Sequence, residues 1–290
     1  MRTRARAGRR AGRSAIFFFL AVVAVVAGVT VAVWRGTGPL PDPPGCTATV
    51  AGLVVDLAPD QARNAALIAA IGVERGLPAR AVSIALATAY QESKIRNLDH
   101  GDRDSVGIFQ QRPSQGWGTV EQIRDEHYAI SKFYAELEKI EGYQTMRITE
   151  AAQRVQRSGF PEAYEDHAAD ARALASALTG YSPGGAFTCV VDEPDESGTA
   201  ARTVASLADA YGELDVARTG TRQDLAVTVA GDQDGRRTGW SVAAYLLAHA
   251  AELRVTEVSF DGRTWRTGDD SDQGWVASSA DPTTVSVSFG

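Results

Sequence analysis

The chain has 290 residues, long enough for one or two domains with real cores. Its net charge is −7, with arginines concentrated at the start, and its two cysteines show no Cys-x-x-Cys spacing, so a zinc site is not suggested. No internal repeat and no Gly-rich phosphate loop occurs, which sets aside solenoid and phosphate-loop readings.

Arg2, Arg4, Arg6, Arg9, Arg10 and Arg13 precede Ala15 to Trp34, twenty residues without a charge. At about 1.5 Å per residue a helix of that length spans roughly 30 Å, the hydrocarbon thickness of a bilayer. Positive charge before the run places the N-terminus in the cytoplasm and the bulk of the chain outside. A cleaved signal peptide is the alternative. Its apolar region is normally about 7–15 residues and ends at small residues. This run is longer and ends Val31-Ala32-Val33-Trp34, which favours a retained anchor. Residues 1–35 are therefore read as a basic tail and a single-pass plasma-membrane span, with residues 15–34 contacting lipid. Topology and anionic lipid account for the arginines, so no nucleic acid partner is expected.

Residues 36–45, GTGPLPDPPG, read as an extended spacer. Cys46 and Cys189 then bracket a stretch of about 140 residues whose closure would stabilise by at most roughly 5 kcal/mol. The pair is either a disulfide, as an oxidising environment outside the membrane favours, or two free buried thiols. A helix is predicted after Pro59-Asp60, with Leu67, Ile68 and Ile71 as its stripe and Gly76 and Pro78 ending it.

The next helix carries the candidate chemistry. Val82, Ala85, Leu86 and Ala89 fall at i, i+3, i+4 and i+7. Seven steps from Ala85 bring Glu92 back to within about 20° of that face. A carboxyl on the buried side, near the negative end of a helix, has its pKa raised. A carboxylic acid still protonated near neutral pH is what a general acid needs. A glutamate reaching water from the helix end is the alternative at this point. Ser93 follows directly. Then come a polar loop from Asn97 to Ser105, Gly107-Ile108-Phe109-Gln110, and Pro113.

Glu-Ser, a loop, Gly-x-x-Gln and a proline three residues on resemble the signature of the soluble lytic transglycosylases and goose-type lysozymes. The resemblance runs roughly from Ala62 to Leu178. It implies Glu92 as the catalytic acid and Gln110 as an amide lining a sugar cleft, with Ser93 and Gln111 beside them. Ala151 to Gly159 is similar to the family's third motif, with Val155 and Gln156 where the family has Tyr and Asn. Gln156 would orient sugar groups. No metal or organic cofactor is implied.

The loop carries Asp99, His100, Asp102 and Asp104. It is either a solvated loop or the source of a second carboxylate, from Asp99, Asp102 or Asp104, that positions water or steadies an oxocarbenium ion. His100 has no second histidine at ligand spacing, so no metal is assigned. Trp117 either stacks on a sugar face or plugs the loop into the core. Thr119 to Gln122 fits a capping box, opening a helix whose stripe is Ile123, His127, Ile130, Tyr134 and Leu137. His127 on that stripe reads as a core histidine. A short helix from Thr149 to Arg157 follows. A last one begins at Pro161, with Tyr164, Ala168, Ala171, Ala175 and Leu178 on its face and Gly180 closing it. Tyr164 either packs or reaches the site.

Residues 191–198, VDEPDESG, read as an acidic linker between a mainly helical, lysozyme-like domain (46–190) and a small α+β domain (199–290). In the latter, helices are predicted over 200–211 and 239–251. Strands are predicted near 225–229, 255–260, 264–265, 275–276 and 285–289, with Asp261-Gly262 as a hairpin turn. Trp240, Trp265 and Trp275 form either a glycan platform or a small core. The fold class is thus α+β. The expected function is a membrane-anchored glycosidase acting on peptidoglycan strands through Glu92. The alternatives are an inactive glycan-binding or scaffold protein of the cell envelope, and an assembly factor that meets an envelope protein through the C-terminal domain.

Overall fold

A computed structural model describes residues 43–157, 162–220 and 224–290, together with Val23, residues 26–28, Thr30 and Val31, which are helical. The rest of the expected span 15–34 lies outside the described residues, as do the basic tail and the spacer up to residue 42. Among the described residues no helix is long and apolar enough to cross a membrane. Pro44–Gly290 forms one compact unit, separate from Met1–Pro43.

The compact unit is mixed α+β. It opens with a hairpin absent from the sequence expectation: β1 (Gly45–Val50) and β2 (Leu53–Leu57), turning through Ala51 and Gly52. Both turn residues have positive φ, the geometry that matches the twist of a two-residue hairpin. A later strand, β3 (Phe187–Val190), adds antiparallel to β1, giving a sheet of order β2-β1-β3. Cys46 and Cys189 face each other in that register and form a disulfide.

Helix α1 (Pro59–Glu74) starts on a proline, and the Gln61 side chain accepts the Ala58 N–H at 3.0 Å. Helix α2 (Ala79–Ser93) is buried nearly all round from Ala81 to Ala89, not on one stripe only. Its polar side chains stay satisfied there. Ser83 and Thr88 donate back to the carbonyls of Ala79 and Ile84. Its first two residues, Ala79 and Arg80, and its last turn, Tyr90 to Glu92, emerge to half-burial.

The expected helix from Thr119 is two helices, α3 (Val120–Arg124) and α4 (Glu126–Leu137). Thr119 makes its capping box. Asp125 then leaves helical geometry at ψ 112° and caps α4 by accepting the Tyr128 N–H at 2.8 Å. Helix α5 (Ile148–Gln156) ends on Arg157 at φ 53°, and a 3-10 turn (Ala163–His167) leads into α6 (Ala168–Leu178). The expected start at Pro161 lies outside the described residues.

The C-terminal part has α7 (Ala200–Tyr211), β4 (Asp215–Thr219), β5 (Asp224–Thr228), α8 (Gln233–Ala248), α9 (Ala250–Leu253), β6 (Glu257–Phe260), β7 (Arg263–Arg266), β8 (Val276–Ala277) and β9 (Thr284–Ser288). Its antiparallel sheet runs β4-β5-β9-β6-β7-β8. Helix α8 begins earlier than expected because Asp232 caps it, accepting the Gly235 N–H at 2.8 Å. Strand β4 was not expected.

The three tryptophans are not a glycan platform. Trp240, Trp265 and Trp275 are 4%, 0% and 9% exposed. Trp265 Nε1 donates to Cys189 O at 2.9 Å and Trp275 Nε1 to Phe187 O at 2.8 Å, so two indoles fasten β3 to the second sheet. Segment 191–198 is itself tied down. Gly268 N donates to Val191 O at 2.8 Å, and Arg254 pairs with Glu196. The parts on either side of it pack together, with α1 against both α7 and α8.

Candidate functional site

Glu92 sits in the last turn of α2, where the all-buried helix meets the surface. The chain leaves that turn through Lys94 and Ile95, both at positive φ (57° and 59°). A buried β-branched residue in this region is strained and holds only if its surroundings enforce it. Three side chains of α1 do so. Gln61 donates to Lys94 O at 2.7 Å, Asn64 donates to Ile95 O at 2.8 Å, and Asp60 pairs with Arg96 at 2.8 Å. No local pattern in the sequence marks this clamp.

Oε1 of Glu92 accepts two hydrogen bonds, from Tyr164 OH at 2.7 Å and from Gln156 Nε2 at 3.3 Å. Gln156 Nε2 also donates to Phe109 O at 2.8 Å, joining α5, the carboxyl and the loop after α2. Tyr164 is wholly buried. Burial raises the pKa of Glu92, and the two donors pull it back only in part. Tyr164 therefore both packs and reaches the carboxyl.

Ser93 is buried and donates to Ile108 O at 2.7 Å, while accepting the Arg96 N–H at 3.1 Å. It staples the helix end to the following loop. Gln110 likewise spends its amide inside the loop. Its Nε2 lies 3.3 Å from His100 O and 3.2 Å from Gly107 O, and its Oε1 accepts from Ser105 Oγ at 3.2 Å. An ideal Cβ on Gly101 would fall 1.8 Å from that Oε1, so only glycine lets the amide lie there. Gln111 is 2% exposed and donates to Ala129 O at 3.2 Å. Three residues expected to touch substrate thus hold the loop in place.

None of the three aspartates bonds to Glu92, Tyr164 or Gln156 among the described residues. Asp99 is exposed and bonded to His100, which lowers its pKa. Asp102 is exposed. Asp104 is held by Arg112 at 2.7 Å and by the Ser114 N–H at 2.8 Å, which keep its carboxyl well below the usual range. His127 is half-buried on α4.

A groove of about 590 Å³ adjoins this cluster, and Gln156 belongs to both. Trp117 lines it while packing partly against the core. On the other flank His167 stacks on Tyr90 at 4.6 Å, and its Nε2 donates to Gln91 Oε1 at 3.0 Å. Burial, then Lys94, lowers its pKa. This histidine was not singled out from the sequence. Its position five residues before Arg172 and eleven after the end of the short α5 gives no signal of its own.

Among curated proteins nothing matches the chain. Residues 199–285 match the family model described as VldE, C-terminal domain, the stretch from the start of α7 into β9.

Proposed function

We propose that the chain is a membrane-anchored, lysozyme-like enzyme that cleaves peptidoglycan glycan strands, with Glu92 as its general acid and base. One observation carries this reading. A half-buried carboxyl with a raised pKa stands beside a groove, and a buried tyrosine and a glutamine both bond the same oxygen. With two donors on Oε1, the acidic proton resides on Oε2. It passes to the glycosidic oxygen as the bond from the N-acetylmuramic acid carbon breaks. The carboxylate left behind is steadied by Tyr164 OH and Gln156 Nε2.

Asp104 is held by Arg112 and Ser114, and Asp99 by His100, so this reading takes the nucleophile from the substrate or from water. In the first case the sugar's own 6-hydroxyl closes on the anomeric carbon and returns its proton to Glu92, giving a 1,6-anhydro end. In the second, water does the same and gives a reducing end. The test is mass spectrometry of digested sacculi with wild-type protein and Glu92→Gln. New ends appear with the first and fall by at least about a hundredfold with the second. Equal release by the two proteins would reject Glu92 as the acid.

A further inference from the structure

The groove beside Glu92 is rich in cations, against the net negative charge of residues 36–290. Lys132, Lys139, Arg154 and Arg157 line it with Trp117 and Gln156. Its one carboxylate, Glu136, is already paired with Lys139 at 2.6 Å, and Arg154 pairs with Glu150 at 2.7 Å on its own helix. Lys132 and Arg157 have no carboxylate partner among the described residues. Seven of the 29 cationic side chains lie in residues 1–35, which carry no carboxylate. Residues 36–290 therefore set 22 cations against 36 carboxylates, a net −14. With Lys139 and Arg154 paired, Lys132 and Arg157 remain as two uncompensated cations on one concavity of so acidic a chain, and they leave a locally positive potential there. A neutral polysaccharide has no use for it.

We propose that this groove recognises free carboxylates on the glycan strand, so that the protein selects acidic strands over amidated ones. The inference rests on the glycan reading above and adds a substrate preference to it. Arg157 offers a planar donor fork that matches a carboxylate, and Lys132 a point charge. Trp117 presents an indole to the sugar between them. Gln156 links the groove to Glu92, so a strand anchored by its carboxylates lies next to the acid.

The experiment uses the full-length chain in detergent carrying Glu92→Gln, which keeps strands intact. The probes are soluble glycan strands with free carboxylates, and the same strands after carbodiimide-driven amidation with ammonia. Titration calorimetry should show about tenfold tighter binding of the free-carboxylate strands at low salt. The difference should vanish near 0.5 M salt, where screening acts within a few ångströms. Adding Lys132→Gln and Arg157→Gln should remove it, and adding Lys132→Arg with Arg157→Lys should keep it. With Glu92 intact, the Gln pair should raise KM and leave kcat unchanged. Equal affinity for the two strands, no binding of either, or a preference that survives the Gln pair would overturn the proposal. Cleavage without carboxylate preference would reject the groove reading alone. Carboxylate-selective binding without cleavage would reject the enzyme reading alone.

Discussion

The Tyr164 hydroxyl donates to Glu92 Oε1 at 2.7 Å across 72 residues of chain. It links the 3-10 turn before α6 to the last turn of α2, and it stabilises the ionised form of a carboxyl whose pKa burial raises. The two influences oppose each other, and burial wins. A general acid loses activity as pH rises through its own pKa. Tyr164→Phe removes a donor to the anion, so the pKa of Glu92 should rise further. The alkaline limb of kcat/KM should move to higher pH, while the maximal rate falls because the departing proton leaves a less stabilised carboxylate. A profile measured between pH 4 and 9 that keeps its alkaline limb in place would separate Tyr164 from the titration of Glu92.

The same shift has a consequence for stability. The folded-state pKa of Glu92 lies above its ordinary value of 4.5, so the folded protein binds this proton more tightly than the unfolded chain does. Below about pH 4.5 both states are protonated and ionisation costs nothing. As pH rises through the folded pKa, the buried anion destabilises the fold. Gln at position 92 never ionises. Glu92→Gln should therefore raise the Tm above that of wild type at pH 8, with the gain shrinking to nothing near pH 4. Denaturation scans across that range check it, and a gain that grows toward acid pH would reverse the sign of the argument.

What could be read from the chain alone divides along physical lines. The helix starts at Pro59 and Thr119, the Asp261-Gly262 turn and the position of Glu92 follow from rules acting within a few residues. The break at Asp125 did not, because an unbroken apolar stripe hides a local capping choice. The β1–β2 hairpin is short and its residues mix small and β-branched types, so neither period stands out. The partners of Trp265 and Trp275 lie 76 and 88 residues away, and the clamp on Lys94 and Ile95 comes from α1, about thirty residues upstream. Gln110 and Ser93 stand at the motif's positions, yet their bonds face inward. Residue type at a spacing marks a place, and only packing decides which way the side chain turns.

The disulfide should carry much of the stability of the first sheet. Cys46 and Cys189 are 143 residues apart and pair directly across β1 and β3. Closing so long a loop restricts the unfolded chain by about 5 kcal/mol in the entropic account. Reduction, or Cys46→Ala with Cys189→Ala, should lower the Tm by roughly 10 °C. Glu92 and its partners lie outside this sheet, so activity measured well below the new Tm should be retained. An unchanged Tm on reduction would mean that the hydrogen bonds from Trp265 and Trp275 to β3 suffice without the bond.

Gly180 offers a test of how firmly the helical part is seated on the segment matched by the VldE C-terminal domain model. It follows α6 at φ 71°, and an ideal Cβ there would fall 2.2 Å from Arg237 O and 2.7 Å from Arg237 Cα. Both atoms are backbone of α8, so they cannot swing aside as a flexible side chain would. Gly52 provides the control. It has φ 85° in the β1–β2 turn and nothing within 4 Å of its ideal Cβ. Alanine at position 52 should cost only the left-handed strain, about 1–2 kcal/mol. Alanine at position 180 adds to that strain the displacement of a buried helix, an overpacking cost of about 1–3 kcal/mol. Urea denaturation should therefore place Gly180→Ala below Gly52→Ala by at least about 1 kcal/mol. Limited proteolysis should open Gly180→Ala first between α6 and α8. Equal losses in the two variants would show that α8 can move away from α6 at little cost, and that the two parts are joined far less tightly than this contact implies.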